Sequence, residues 1–134
     1  MGNLRFISVV MLLLFATNIT FANNDMYNQQ MKYYNNMKTC TKGTFSLGKT
    51  SLNVGSKTFD IGMVYYIYGV QNNKCHIREH LGNYDMHCYL PINIAKKYAE
   101  EGIYTLNASM KSGIASSQYI NQIINNENYC KSNY

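Results

Sequence analysis

The sequence predicts an α+β domain with an N-terminal helix, a three- to four-stranded antiparallel sheet and two C-terminal helices, stapled by disulfides. Three observations lead there. Apolar residues recur at helical spacing near both ends of the chain and alternate with polar residues in its middle. Asn- and Gly-centred turns separate the alternating runs. Four cysteines, an even number, fall in a short chain that opens with an export signal.

That signal has three parts in order. Arg5 supplies the positive charge, Phe6 to Phe15 the apolar run, and Thr20-Phe21-Ala22 places small residues, Thr20 and Ala22, at the two positions a signal peptidase reads. The apolar run is about ten residues, half of the roughly 20 needed to span a bilayer. Residues 1–22 are therefore expected to be cleaved, leaving residues 23–134 as a single small globular domain in a periplasmic or secreted location. No later stretch is long and apolar enough to predict a membrane span.

From Asp25 to Lys38, Tyr27, Met31, Tyr34 and Met37 fall at helical spacing. Gly43 to Leu47 reads as a short strand, and Gly48 to Lys57, rich in Gly, Ser and Asn, as a loop or wide connection. Thr58 to Val70 is the strongest strand signal, with Gly62 as a candidate bulge. Gln71-Asn72-Asn73-Lys74 forms the next turn, because Asn tolerates the left-handed conformation of tight hairpins. Centring it on Asn72-Asn73 pairs Val70 with Cys75 and Tyr68 with Ile77. Pro91 suits a helix start and Gly102 its end, with Ile94, Ala95, Tyr98 and Ala99 as one stripe. Ile103 to Gly113 is left unassigned, with a short strand and a loop as its expected content. Ile114 to Glu127 shows a second stripe, Ala115, Tyr119, Ile120, Ile123 and Ile124, and the last four residues read as frayed.

Cys40, Cys75, Cys88 and Cys130 allow three pairings. A hairpin centred on Leu81-Gly82 sets Cys75 opposite Cys88, Ile77 opposite Met86, Arg78 opposite Asp85 and His76 opposite His87. This register favours Cys75–Cys88 and leaves Cys40–Cys130 to tie the ends of the domain together. Alternation then separates a sulfur-bearing apolar face from an outward one carrying Tyr65, Ile67, His76, Arg78, Asp85 and His87.

Without Arg5 the chain holds eleven Lys and Arg against seven Asp and Glu, a net charge of about +4. The positives are scattered, with no run longer than Lys96-Lys97, and a nucleic-acid binder would concentrate them. Thirteen tyrosines suit a recognition surface. Asn, Tyr, Ile and Lys also share AT-rich codons, so composition alone assigns no partner.

Gly69-Val70-Gln71-Asn72-Asn73-Lys74-Cys75, followed by Met86-His87-Cys88-Tyr89-Leu90-Pro91, resembles a pattern in small exported four-cysteine bacterial proteins of no assigned function. The resemblance spans roughly Cys40 to Cys130. It implies an envelope or secreted location and carries no catalytic residues. The fold outline is also similar to cystatin-like domains, without that family's inhibitory loop.

Three motifs bear on chemistry. His76-Ile77-Arg78-Glu79-His80 matches the inverted zinc-protease signature, which requires a helix; on a strand the two histidines stand about 13 Å apart and share no metal. His76 and His87 as a cross-strand pair offer two metal ligands without an evident third. Asn107-Ala108-Ser109 fits a glycosylation acceptor. The expectation is a non-enzymatic binding or structural module with no catalytic residue, no cofactor, no metal and no nucleic-acid partner, recognising an envelope component or another protein. The alternatives are a small secreted hydrolase, metal-dependent through His76 and His87, and a secreted toxin or effector.

Overall fold

The computed structural model describes residues 24–112 and 116–133, so the predicted signal peptide and its predicted cleavage site lie outside the described residues. Helix α1 (Asn24–Met37) is followed by strands β1 (Gly43–Val54), β2 (Lys57–Gln71), β3 (Lys74–Leu81) and β4 (Tyr84–Pro91). Helices α2 (Ile92–Ser112) and α3 (Gln118–Ile124) come next, and strand β5 (Cys130–Asn133) closes the chain. The five strands form one antiparallel sheet in chain order. This is the predicted α+β class, with more strand than the sequence suggested.

Helix α1 begins with Asp25 in its first turn, which suits the positive end of the helix dipole. Its buried stripe is Met26, Gln30, Tyr33 and Met37, rotated from the expected one, with Tyr34 at the margin. The helix ends in a Schellman arrangement. Cys40 adopts φ +50°, its N–H bonds the Met37 carbonyl at 3.1 Å, and the Thr41 N–H bonds the Asn36 carbonyl at 2.8 Å.

Strand β1 runs far past Leu47, through the predicted loop, because its backbone pairs with β2 residue by residue out to Val54 opposite Lys57. Its own sequence lacks apolar alternation there, so pairing with a strong neighbour sets its state. The segment 57–61 of β2 pairs with β1 alone, making a two-stranded arm, while the Gly62 carbonyl accepts the Gly82 N–H at 2.9 Å. Gly62 lies in register opposite Lys49; the irregularities fall instead between Ser46 and Gly48 and between Ile67 and Gly69.

The second irregularity decides which side chains face out. Asn72 (φ +51°) and Asn73 (φ +61°) make the expected two-residue turn, of type I′, and Val70 pairs with Cys75 as predicted. Beyond Gly69 (φ +97°) the register shifts, so Ile77 pairs with Ile67 rather than Tyr68. Tyr65 and Ile67 consequently turn inward, 5 % and 2 % exposed, and do not belong to the outward face assigned to them. Val70 is 57 % exposed.

The β3–β4 turn is centred on Gly82-Asn83, with Gly82 at φ +59°, one residue beyond the expected centre. Ile77 therefore opposes Cys88, Cys75 opposes Leu90, Arg78 opposes His87 and His76 opposes Tyr89. A slip by two residues preserves the faces but breaks the cysteine match. The predicted Cys75–Cys88 and Cys40–Cys130 bridges are replaced by Cys40–Cys75 and Cys88–Cys130. The first ties the end of α1 to β3. The second joins directly opposed residues of β4 and β5. That strand occupies the chain end expected to fray.

Helix α2 continues ten residues past Gly102, which is buried at the crossing with α1; a Cβ there would run into the Tyr34 ring. Helix α3 is short and capped by Ser117, whose Oγ accepts the Ile120 N–H at 3.2 Å and donates to Glu101 at 3.2 Å. The core lies between one sheet face and the helices: Phe45, Met63, Tyr65, Ile67, Ile77, Met86 and Leu90 from the strands meet Tyr33, Met37, Tyr98 and Ala99.

Candidate functional site

The opposite sheet face is left open by the three helices. Direct strand partners share a face, so the register defines its rows. One row crosses all five strands: Thr44, Tyr66, Arg78, His87 and Lys131. The next holds Ser46, Val64, His80, Asp85 and Asn133. A third, above the bulge, brings His76 beside Tyr89, with Tyr68 on its other flank. All three histidines of the sequence stand here.

Asp85 is the electrostatic centre. Arg78 grips it with two hydrogen bonds, Nε to Oδ1 at 2.7 Å and Nη2 to Oδ2 at 2.9 Å. The two residues are not opposite each other; the long Arg side chain reaches along the diagonal, which is why the predicted pair survives the register change. His80 Nδ1 and His87 Nε2 each stand 3.7 Å from one Asp85 oxygen. Hydrogen bonding to Arg78 holds the Asp85 carboxyl below its ordinary pKa, while Asp85 in turn keeps the Arg78 guanidinium firmly charged.

The imidazoles of His76 and His87 meet at 3.1 Å, Nε2 to Nδ1. One ring nitrogen donates in this contact and the other accepts, according to the tautomers of the two rings. His76 Nδ1 is buried without a hydrogen-bond partner among the described residues. Burial, reinforced by His87, pushes the His76 pKa down, in keeping with a neutral ring.

Aromatic rings complete the face. His76 lies between Tyr68 (centroids 4.6 Å) and Tyr89 (4.2 Å, 15° between planes). Tyr66 stacks parallel to Tyr68 at 5.8 Å, and the Arg78 guanidinium sits 5.2 Å from the Tyr66 ring. Arg78 also donates to the Tyr68 hydroxyl at 3.4 Å. The result is a rigid, cross-braced polar and aromatic surface.

Of the six residues predicted for this face, His76, Arg78, Asp85 and His87 are brought together, and Tyr65 and Ile67 are not. Tyr66, Tyr68, His80, Tyr89 and Lys131 were missed. Gly69 before an Asn-Asn turn was the one available sign that the alternation of β2 breaks. The metalloprotease motif fails on geometry: Glu79 points into the core while His76 and His80 point out. Among the described residues no three His, Cys, Asp or Glu side chains converge on a common metal position. Asn107-Ala108-Ser109 lies within α2 with Ser109 2 % exposed, and Asn107 accepts the Tyr27 hydroxyl at 2.6 Å, so this sequon is no open loop.

The inward side of β3 holds a second polar group. Glu79 is 1 % exposed, and its Oε1 accepts hydroxyls from Tyr33 of α1 (3.0 Å) and Tyr98 of α2 (3.2 Å). Among the described residues no cation forms an ion pair with it. Desolvation pushes its pKa up to about 7, against the pull of the two tyrosine hydrogen bonds, and burial raises the pKa of Tyr33, Tyr34, Tyr65 and Tyr98 around it. Glu79 thus links α1, β3 and α2 through one oxygen.

Comparison of the chain with protein-family models, curated proteins and solved structures finds no match in any of the three. No helix among the described residues is long and apolar enough to cross a membrane. The two disulfides accord with an oxidising compartment.

Proposed function

We propose that this protein is an exported, non-enzymatic binding module of the cell envelope or extracellular space, and that the open sheet face is its recognition surface. The observation that carries this reading is the cross-braced set of Tyr66, Tyr68, His76, Arg78, Asp85, His87 and Tyr89 on the side of the sheet opposite the helices. Rigid aromatic and charged side chains supply contact area and directional hydrogen bonds at low ordering cost. The imidazoles are engaged with each other and with Asp85, and no free thiol exists among the described residues. This disposition favours recognition over nucleophilic chemistry.

The test is co-sedimentation with fractionated bacterial envelope, comparing wild type with a Tyr89→Ser, Lys131→Glu double variant whose fold is checked by circular dichroism. Retention of wild type and loss of the variant is expected. Equal behaviour of the two folded proteins refutes the reading.

A further inference from the structure

We infer that the ligand of this face is an acidic polysaccharide, a glycan bearing carboxylates or phosphates along its length. The inference rests on the binding role proposed above and adds the ligand's chemistry. The register places Arg78, Lys74 and Lys131 on the open face. Asp85, the acid at its centre, is already matched by the Arg78 fork. Lys74 and Lys131 are exposed and add positive charge to either side of a locally neutral pair. Such a face attracts a polyanion and repels its own copy.

Shape narrows the choice. The row Tyr66, Arg78, His87, Lys131 crosses three inter-strand gaps, about 14 Å, which suits a few consecutive sugar units. Tyr89, 41 % exposed at the edge of the aromatic stack, offers ring surface to the C–H side of a sugar, while guanidinium, imidazole and ammonium groups offer donors to its hydroxyls and acids. A sheet-on-sheet dimer would bury the Arg78–Asp85 pair and three histidines together, against the depletion of charge at interface cores. A bilayer surface would call for protruding apolar anchors, and on these rows Val64 is half-buried. A nucleic acid would call for a denser set of cations.

The probe is polygalacturonate, with dextran as its neutral counterpart, titrated against the oxidised full-length mature protein. Wild type should bind polygalacturonate and not dextran, losing roughly tenfold in affinity between 0.05 and 0.5 M salt. Lys131→Glu should weaken binding about tenfold, and Tyr89→Ser should abolish it while preserving the fold. No binding to polygalacturonate at low salt overturns the inference. Equal binding of dextran, or indifference to both salt and Lys131→Glu, overturns it while leaving a role for the face itself. Preference for phosphatidylglycerol vesicles, for single-stranded oligonucleotide, or for a Tyr89-dependent dimer also overturns it. Because envelope retention is measured separately, a module that binds some other component through this face is distinguishable from a face that binds nothing.

Discussion

Replacing Glu79 by Gln removes one ionisation from the middle of the core and little else. The amide keeps an oxygen for the Tyr33 and Tyr98 hydroxyls, and its volume is nearly unchanged. The sign of the pH effect follows from the raised pKa. In the unfolded chain the carboxyl ionises near its ordinary 4.5, whereas in the folded protein it holds its proton to about 7. Between these values the folded state binds more protons, so stability falls as pH rises from about 4.5 and reaches its lower plateau above about 7. The difference corresponds to about 3 kcal/mol. Urea unfolding of oxidised wild type and Glu79→Gln at pH 4.5, 6 and 8.5 measures it, and comparison at each pH removes any constant offset from the new amide. The gap should move by about 3 kcal/mol in favour of the variant between the lowest and highest pH, a relative midpoint shift of roughly 1–3 M. A gap independent of pH would show that Glu79 titrates as an ordinary carboxylate, and the unpaired, tyrosine-caged carboxyl would have to be abandoned.

Three further outcomes follow from the packing. Gly102→Ala should lower stability by roughly 1–3 kcal/mol in thermal unfolding, because the methyl meets the Tyr34 ring, even though Ala favours a helix by about 1 kcal/mol; a raised melting temperature contradicts the close α1–α2 crossing. Gly69→Ala forces a side chain into φ +97° against the Lys42 stem and should cost about 1–2 kcal/mol by denaturant titration, whereas a neutral result removes the bulge from the account of the open face. Peptide mapping of unreduced protein should recover linked segments 40–75 and 88–130; their sequence separations of 35 and 42 residues predict that deleting either bridge as a Ser pair costs about 4 kcal/mol, and recovery of a 75–88 link overturns the pairing.

Much of this architecture is legible in local chemistry. The first helix, the long β2 strand, the Asn72-Asn73 turn and the two faces of β3 and β4 follow from periodicity and turn residues. What escaped is what depends on partners or on a single backbone offset. Strand β1 beyond Leu47 is mostly Gly, Lys, Ser, Thr and Asn, with Leu52 and Val54 as its apolar residues, and becomes extended because β2 pairs with it. The β3–β4 turn could be centred on either side of Gly82, and both choices keep the same faces, so apolar patterning could not separate them. The cysteine pairing depended on that choice. The bulge at Gly69 reversed the facing of Tyr65 and Ile67 against Tyr66 and Tyr68, and so exchanged half of the candidate surface for its neighbours. Glu79 inside the core was not anticipated, because its tyrosine partners arrive from helices far away in sequence.

Strand β5 is only four residues long, and on its own so short a segment at a sheet margin would come and go. The Cys88–Cys130 bond makes its presence permanent. It thereby keeps the backbone donors and acceptors of β4 from Asp85 to Cys88 out of reach of other chains, the kind of exposed template on which intermolecular sheets grow. The terminal sulfur bond is therefore a guard against aggregation as well as a brace, and reduced protein should precipitate through its β4 margin well before its helices melt.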